Sequence, residues 1–227
     1  MSLTEYTKNR NFNHTPEPVT ATTKQKEEQI FVVQRHSATR LHYDFRLEMN
    51  GVLVSWAVPK GPSMYPKDKR LAMMVEDHPI DYANFQGVIP EGNYGAGIVE
   101  IWDKGTYELQ PENNGNGLEA IQNSSLKFIL HGNKLAGKFA LIKMKKGAPN
   151  AWMLIKEKDE FASNEPYDSE EYTDASSPIN KQLALSGTKQ KKAVSAKKAS
   201  TQTPSPKRIK AAKLVAESKK KALLKML

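Results

Sequence analysis

Within eleven residues, His36-Ser-Ala-Thr-Arg-Leu-His42-Tyr-Asp44-Phe-Arg46 gathers three groups able to ligate a metal and, closing the segment, the permanent cation of Arg46. From Leu41 to Met49 the residues alternate: Leu41, Tyr43, Phe45, Leu47 and Met49 are apolar, while His42, Asp44, Arg46 and Glu48 are polar. That is the period of a half-buried β-strand. Side chains two apart on a strand share a face, so one strand presents His42, Asp44 and then Arg46. Imidazole nitrogen with carboxylate oxygen suits Mn²⁺, Fe²⁺, Zn²⁺ or Co²⁺ better than Ca²⁺ or Mg²⁺. Two His and one carboxylate also leave coordination positions open for substrate or water, as in a catalytic centre. The alternative for a His-x-Asp pair is a polar face turned to solvent, usual on antiparallel sheets; His36 upstream and Arg46 downstream favour a site.

Other candidate groups follow. Lys60 stands between two prolines in Val58-Pro-Lys-Gly-Pro62, which restricts the backbone and would present the ammonium at a fixed place, either to a phosphate or simply to water. Arg70 opens the LAMMVED run with the same two readings. His78 ends that run before Pro79 and precedes Tyr82 by four residues; it could donate a proton or hydrogen bond to an anion, or only cap a turn. Glu76 and Asp81 add carboxylates without ligand spacing. The segment Gly92-Asn-Tyr-Gly-Ala-Gly97 lacks the strand–loop–helix context and the Lys-Ser/Thr of a phosphate-cradling loop, so it reads as a tight connection. His14 and His131 have no companions.

These groups need a scaffold, and the chain's 227 residues suffice for one ordinary domain with an appendage. There is no cysteine, which excludes disulfides and thiolate ligands. MSLTEYTKNR has no apolar segment of signal-peptide type and no run is long enough to cross a bilayer, so a soluble cytoplasmic protein without membrane association is expected. Charge is unevenly placed. Residues 186–227 hold twelve Lys and one Arg against one Glu, a net of +12; since the chain totals +9, residues 1–185 sum to −3. A basic segment beside a near-neutral body fits a polyphosphate partner bound through counterion release, or else a solvated tail.

Residues 1–28, with Thr15-Pro-Glu-Pro18, are expected to form an extended arm rather than a helix. Residues 29–160 carry short apolar runs punctuated by Gly and Pro: IFVVQ, LHYDFRLEM, GVLVSWAVP, LAMMVED, GIVEIWD, TYEL, LKFILHG, GKFALIKM and AWMLIKE. Their spacing predicts a mainly β fold, a compact antiparallel barrel or sandwich, with Asn113 to Ser124 as a loop and short helix. Residues 161–186 read as an acidic, irregular domain edge. Residues 187–227 are expected to be a disordered Lys-rich tail, with Ile209–Leu227 able to fold as a basic helix on a partner.

Taken in order, FVVQRHSATRLHYDFRLEMNGVLVSWAVPKGP and KRLAMMVEDHPIDYANFQGVIPEGNYGAGIVEIWDKGTYEL resemble the 3′-phosphoesterase domain of bacterial DNA ligase D and its stand-alone relatives. The resemblance runs from about Tyr6 to Glu157 through His-x5-His-x-Asp-x-Arg, WAVPKGP, EDHPxDY and IPEGxYGxG. It implies a compact β-barrel with a Mn²⁺-dependent site that trims 3′ ends in double-strand-break repair. Such an enzyme removes a terminal 3′ ribonucleoside and then the exposed 3′ phosphate, leaving a 3′ hydroxyl. By similarity His36, His42 and Asp44 hold the metal (Mn²⁺, with Co²⁺ or Zn²⁺ as substitutes), while Arg46, Lys60, Arg70, His78 and Tyr82 surround the scissile phosphate. The match from Arg10 to Glu17 implies that these two residues fold back onto the site. One departure is Asn11, where the family commonly has Asp; if that carboxylate anchors the arm or the 3′ ribose, ribonucleoside removal is the step that loses a contact.

The family arrangement fuses this domain to ligase and polymerase modules, and neither is recognisable in these 227 residues. The resemblance therefore implies a monomer acting on DNA 3′ ends and primer-template junctions beside a separate ligase and end-joining factors, near the bacterial nucleoid. Two rivals are a non-catalytic DNA-end-binding repair accessory and a non-haem Fe(II) oxygenase. Retention of His36, His42, Asp44 and His78 argues against the first. A close upstream third His, and more cations than one small carboxylate cosubstrate needs, argue against the second.

Overall fold

The computed structural model describes residues 3–19, 29–113 and 115–190, with side chains to residue 185. Nine strands form one antiparallel sheet: β1 Ile30–Ser37, β2 Leu41–Met49, β3 Val52–Val58, β4 Lys69–Pro79, β5 Gly87–Ile89, β6 Gly97–Leu109, β7 Ser125–Gly132, β8 Ala136–Lys143 and β9 Ala151–Lys156. Their order is β1-β2-β3-β4-β9-β8-β7-β6, and β6 also pairs with β1, which closes an eight-stranded barrel; β5 hangs on β6.

Alternation explains the barrel. Phe31, Val33, Tyr43, Phe45, Leu47, Val54 and Trp56 turn inward, against Leu126, Phe128, Phe139, Leu141, Trp152 and Leu154 from the far wall. The β2–β3 connection is a two-residue loop, Asn50–Gly51, with φ of 51° and 83°; two positive φ values in a row make the hairpin turn that matches strand twist. That turn sets Met49 opposite Val52, so Asp44 faces Ala57 and Arg46 faces Ser55. Across the other edge of β2, His42 is paired with His36 and Asp44 with Gln34. The polar face of β2 is therefore the outer wall of the barrel. It is not left to solvent, since Asp44 and Arg46 are both buried.

The N-terminal segment supplies the cover. Leu3–Lys8 is a short helix, α1, where an extended arm was expected. Tyr6 is the reason: one turn of helix places its ring in a second apolar cluster with Val32, Leu53, Tyr82 and Ala83 on the outer wall. From Pro18 back to Tyr6 the arm is tied by a 2.7 Å hydrogen bond from the Tyr6 hydroxyl to the Pro18 carbonyl.

Two further expectations change. GIVEIWD and TYEL are a single strand, β6, because Lys104 and Gly105 continue the ladder with β1; a Cβ at Gly105 would lie 2.1 Å from the His131 carbonyl oxygen, which explains a glycine inside a strand. Of the stretch 161–186, residues 161–182 are an integrated part of the fold rather than an edge. Tyr167 joins the barrel core, Ser169–Tyr172 forms a 3-10 turn, and Pro178–Gln190 is a helix, α3; Gly117–Gln122 makes the short helix α2. The 3-10 turn covers the barrel end where β1 and β3 finish and β2 and β4 begin. There Arg35, fully buried, holds Glu170 through Nε at 2.9 Å and Nη2 at 2.5 Å, and Tyr43 donates to the same carboxylate. Ser169 Oγ donates to the Pro62 carbonyl at 2.6 Å, and Trp102 Nε1 donates to the Ser169 carbonyl. The Lys-rich tail beyond Gln190, including Ile209–Leu227, lies outside the described residues, as do residues 20–28 of the arm.

Candidate active site

Three donors converge on the outer wall. His36 Nδ1 lies 3.5 Å from Asp44 Oδ2, His42 Nε2 lies 3.5 Å from Asp44 Oδ1, and the three donor atoms sit within 4.8 Å of one another. Cross-strand pairing of His36 with His42 explains the convergence, since directly opposed side chains on one face are the closest neighbours in a sheet. Each ring is also fixed from behind. His36 Nε2 donates to the Gly95 carbonyl at 2.9 Å, and His42 Nδ1 donates to the Arg40 carbonyl at 2.9 Å. A carbonyl can only accept, so Nε2 of His36 and Nδ1 of His42 carry protons, and the opposite nitrogens, Nδ1 of His36 and Nε2 of His42, are the ones turned toward Asp44. Two imidazoles oriented by backbone carbonyls, with a carboxylate between them, fit a divalent transition metal, which would take the place of any proton on the inward nitrogens.

Arg46 organises the next layer. Its Nη2 donates to Asp44 Oδ2 at 3.1 Å, Nε to Gln34 Oε1 at 2.8 Å and Nη1 to Ser55 Oγ at 2.8 Å, while its guanidinium carbon lies 4.9 Å from the centre of the Tyr82 ring. Gln34 is itself held by the Tyr82 and Phe85 carbonyls. Burial alone would push the Asp44 carboxyl up, but Arg46 and the two imidazoles outweigh it and hold Asp44 well below the usual carboxylate range. On His42 burial opposes the proton, and the bond and charge of Asp44 overcome it, so its pKa is raised.

The arm closes the other side. Arg10 donates through Nε to Glu17 at 2.8 Å, and through Nη1 to the Tyr6 carbonyl at 3.2 Å and to Glu76 at 3.3 Å; its plane lies 3.8 Å from the Tyr6 ring centre. Its Nη2 is 3.2 Å from His78 Nε2, and His78 Nδ1 donates to the Glu76 carbonyl at 2.9 Å. A guanidinium only donates, so His78 is a neutral imidazole whose Nε2 accepts. Burial, then the charges of Arg46 and Arg10, hold its pKa well below the ordinary histidine value. This differs from a His78 donating to an anion: in this arrangement its free electron pair already belongs to Arg10. Tyr82 differs too. Its hydroxyl donates to Glu17 Oε1 at 3.1 Å, so it ties the arm to the wall, and burial pushes its pKa up.

Arg10, His36, His42, Asp44, Arg46, Glu76, His78 and Tyr82 line one cleft of about 320 Å³. Lys60 and Arg70 do not join it. They line a separate depression of about 300 Å³ with Tyr43, Tyr167, Asp168 and Glu170, where Arg70 Nη2 donates to Asp68 Oδ2 and the Tyr167 carbonyl. Lys60 is exposed there.

Residues 34–143 match the 3′-phosphoesterase domain of DNA ligase D. This chain belongs to the DNA ligase D 3′-phosphoesterase family. Over 160 residues it is 46% identical to the multifunctional non-homologous end joining protein LigD of Pseudomonas aeruginosa, covering 69% of this chain and 19% of that relative. The LigD proteins of Mycobacterium tuberculosis and Mycolicibacterium smegmatis are each 44% identical, over 70% of this chain and 20% and 21% of theirs. The chain thus spans about a fifth of the length of the curated relatives it matches.

Sequence reasoning about this phosphoesterase domain missed Gln34, Ser55, Tyr6 and Gly95. Gln34 and Ser55 were visible as single polar residues interrupting apolar strand runs, IFVVQ and GVLVSWAV, on the outward positions. His78 reaches the same face only because the β3–β4 register shifts between Leu53 and Ser55: Val75 pairs with Ser55, and His78 with Leu53. Without that bulge the outward position would be Asp77, and no alternation pattern reveals it. No helix among the described residues is long and apolar enough to cross a membrane.

Proposed function

We propose that this protein is a metal-dependent phosphoesterase that processes DNA 3′ ends, removing a 3′ phosphate, and a 3′-terminal ribonucleoside before it, to leave a 3′ hydroxyl for repair. The single observation that carries this reading is the cleft in which His36, His42 and Asp44 face one another beside Arg46. The family membership and the likeness to LigD proteins support it.

His36, His42 and Asp44 would hold the ion, with Mn²⁺ the first candidate and Co²⁺ or Zn²⁺ compatible with the same donors. When bound, the ion supplies Lewis acidity toward a phosphoryl oxygen. The chain does the rest. Asp44, kept ionised by Arg46, balances positive charge. Three of the five N–H groups of Arg46 are committed to Asp44, Gln34 and Ser55, which fixes the guanidinium so that its remaining donors on Nη1 and Nη2 can meet a phosphate without reorganising. Neutral His78 offers a base rather than an acid at pH 7: if Arg10 shifts onto the substrate's phosphate, His78 Nε2 is freed to take a proton from an attacking water. Glu17 and Glu76 hold Arg10 where both roles are in reach.

Lys60 and Arg70 act at a distance from the ion, on the strand's other phosphates, and the basic tail adds retention on DNA. Partners on this reading are DNA 3′ ends and primer-template junctions, a separate ligase and end-joining factors, in the bacterial cytoplasm.

The test is to incubate a 3′-phosphate primer-template and a ribonucleotide-ended one with protein and Mn²⁺, comparing wild type with His42→Ala. Conversion of the first to a 3′ hydroxyl, reduced on the order of 10²-fold or more in the variant, is the expected result; conversion untouched by His42→Ala overturns the assignment. Conversion of the first substrate alone confines the activity to the phosphate and points to Asn11.

A further inference from the structure

The cleft has two tyrosines on its lining, and they differ sharply in exposure: Tyr82 is 2% exposed, whereas Tyr94 is 53% exposed. A tyrosine so open at the lip of a functional cleft has little stabilising purpose, because its ring removes little apolar surface from water. Its loop is nevertheless well braced. Asn93 N donates to the Pro90 carbonyl and Ala96 N to the Asn93 carbonyl, which makes two consecutive turns with Tyr94 at their crest. Gly92 and Gly95 supply the positive φ values of 85° and 76° that these turns need. Asn93 Nδ2 reaches the His14 carbonyl of the arm at 3.4 Å, and the Gly95 carbonyl is the acceptor that orients His36. The ring itself lies 5.6 Å from the Arg10 guanidinium carbon. An exposed ring is thus held on a rigid loop, one residue from the group that aims a metal ligand.

We infer that Tyr94 is the stacking platform for the terminal nucleobase of the strand being processed, and so a specificity residue of this site. The inference deepens the end-processing reading and rests on it. A cleft built of a metal triad and guanidinium groups recognises only the phosphate, which every phosphomonoester carries. An aromatic face beside it adds recognition of the base. Stacking on a tyrosine is tolerant of base identity, because every base has a π-face, which suits an enzyme that meets any break sequence. Arg10, 5.6 Å from the ring centre, adds positive charge beside that platform.

The experiment is a substrate-by-residue cycle. Steady-state kinetics with Mn²⁺ are measured for wild type, Tyr94→Phe and Tyr94→Ala on two 3′-phosphate strands, one with a normal terminal base and one abasic at that position. In wild type and Tyr94→Phe, the abasic end should lose roughly 5-fold to 150-fold in kcat/KM, the range that ~1–3 kcal/mol of base–aromatic stacking corresponds to, mostly through KM. In Tyr94→Ala the two strands should become equivalent. The inference is overturned if wild type ignores the missing base, or if Tyr94→Ala still discriminates. Fluorescence of 2-aminopurine at the terminal position, read on binding without turnover, should be quenched by wild type and Tyr94→Phe and not by Tyr94→Ala. Quenching equal in all three also overturns it. Absence of turnover in wild type with quenching still lost in Tyr94→Ala would instead sink the catalytic reading and leave a base-stacking end binder.

Discussion

Arg10 Nη2 and His78 Nε2 stand 3.2 Å apart, which makes one nitrogen of a buried imidazole the acceptor for a cation delivered by the N-terminal arm. Arg10 lies eight positions before Pro18 and sixty-eight before His78, so a local segment completes a non-local site. Arg10→Ala removes both the donor and a nearby positive charge. The His78 pKa should then rise toward the ordinary value of about 6.5, and this can be followed by NMR titration of the His78 Cε1 proton. Activity on a 3′ phosphate should fall at least tenfold; a His78 titration unchanged from wild type would contradict the contact.

The same imidazole makes stability depend on pH in a definite direction. Its folded-state pKa is depressed, first by burial and then by Arg46 and Arg10, so as pH falls the unfolded chain takes up that proton before the folded one does. The contribution is complete above the unfolded value of about 6.5 and is lost as pH drops below it toward the folded pKa. Metal-free wild type should therefore melt at a lower temperature at pH 5.5 than at pH 7.5, and His78→Gln should show a smaller drop. His42, whose folded pKa is raised by Asp44, works the opposite way, so the difference between the two proteins at each pH is the quantity that isolates His78.

Metal binding should read out in stability apart from any activity. A ligand that binds only the folded state at about 100 times its Kd adds ~2.7 kcal/mol. Wild type should gain several degrees of melting temperature on titration with Mn²⁺, while His36→Ala and Asp44→Asn should gain almost none. Without metal, Asp44→Ala should cost about 3 kcal/mol, because it strips the carboxylate from a buried Arg46. Equal metal-induced shifts in all variants would remove the triad from consideration.

The barrel-end turn should behave as part of the domain. Arg35 is wholly buried, while the Glu170 side chain is 38% exposed. Glu170→Ala leaves the guanidinium with Glu100 at 3.0 Å, so its cost should be about 2 kcal/mol, below that of breaking a fully buried pair. Gly61→Ala should be worse tolerated than a surface substitution, since φ there is 69° and the added Cβ would meet Ser169 Oγ at 2.3 Å. Truncation at residue 160 should yield protein without a cooperative thermal transition, whereas truncation at 190 should melt like the full chain.

How far the fold was legible varied with the range of the interaction that decides each element. β2 begins and ends where its alternation does, at Leu41 and Met49, because one face lies in the core and the other on a buried polar wall. Strand β5 has three residues and owes its existence to pairing with β6, so no local pattern marks it. Helix α1 is six residues, too short to signal itself, and forms around the docking of Tyr6. At the site, His36, His42, Asp44 and Arg46 could be grouped from spacing plus strand geometry. The separation of Lys60 and Arg70 from that group, and the commitment of His78 to Arg10, depend on a register shift and on chain segments far apart in sequence, which spacing does not encode.

Because cleft-lining and core side chains alternate along β2, the strand tolerates two kinds of change very differently. A substitution touches one face and leaves the other alone. Loss or gain of a single codon between Leu41 and Met49 would rotate everything beyond it by half a turn, driving carboxylate and guanidinium groups into the barrel and aromatic rings out to the wall. Reading-frame-preserving indels should therefore abolish folding here even where many point mutations are accommodated, and a deep mutational scan for folded protein that includes single-residue deletions would register the contrast.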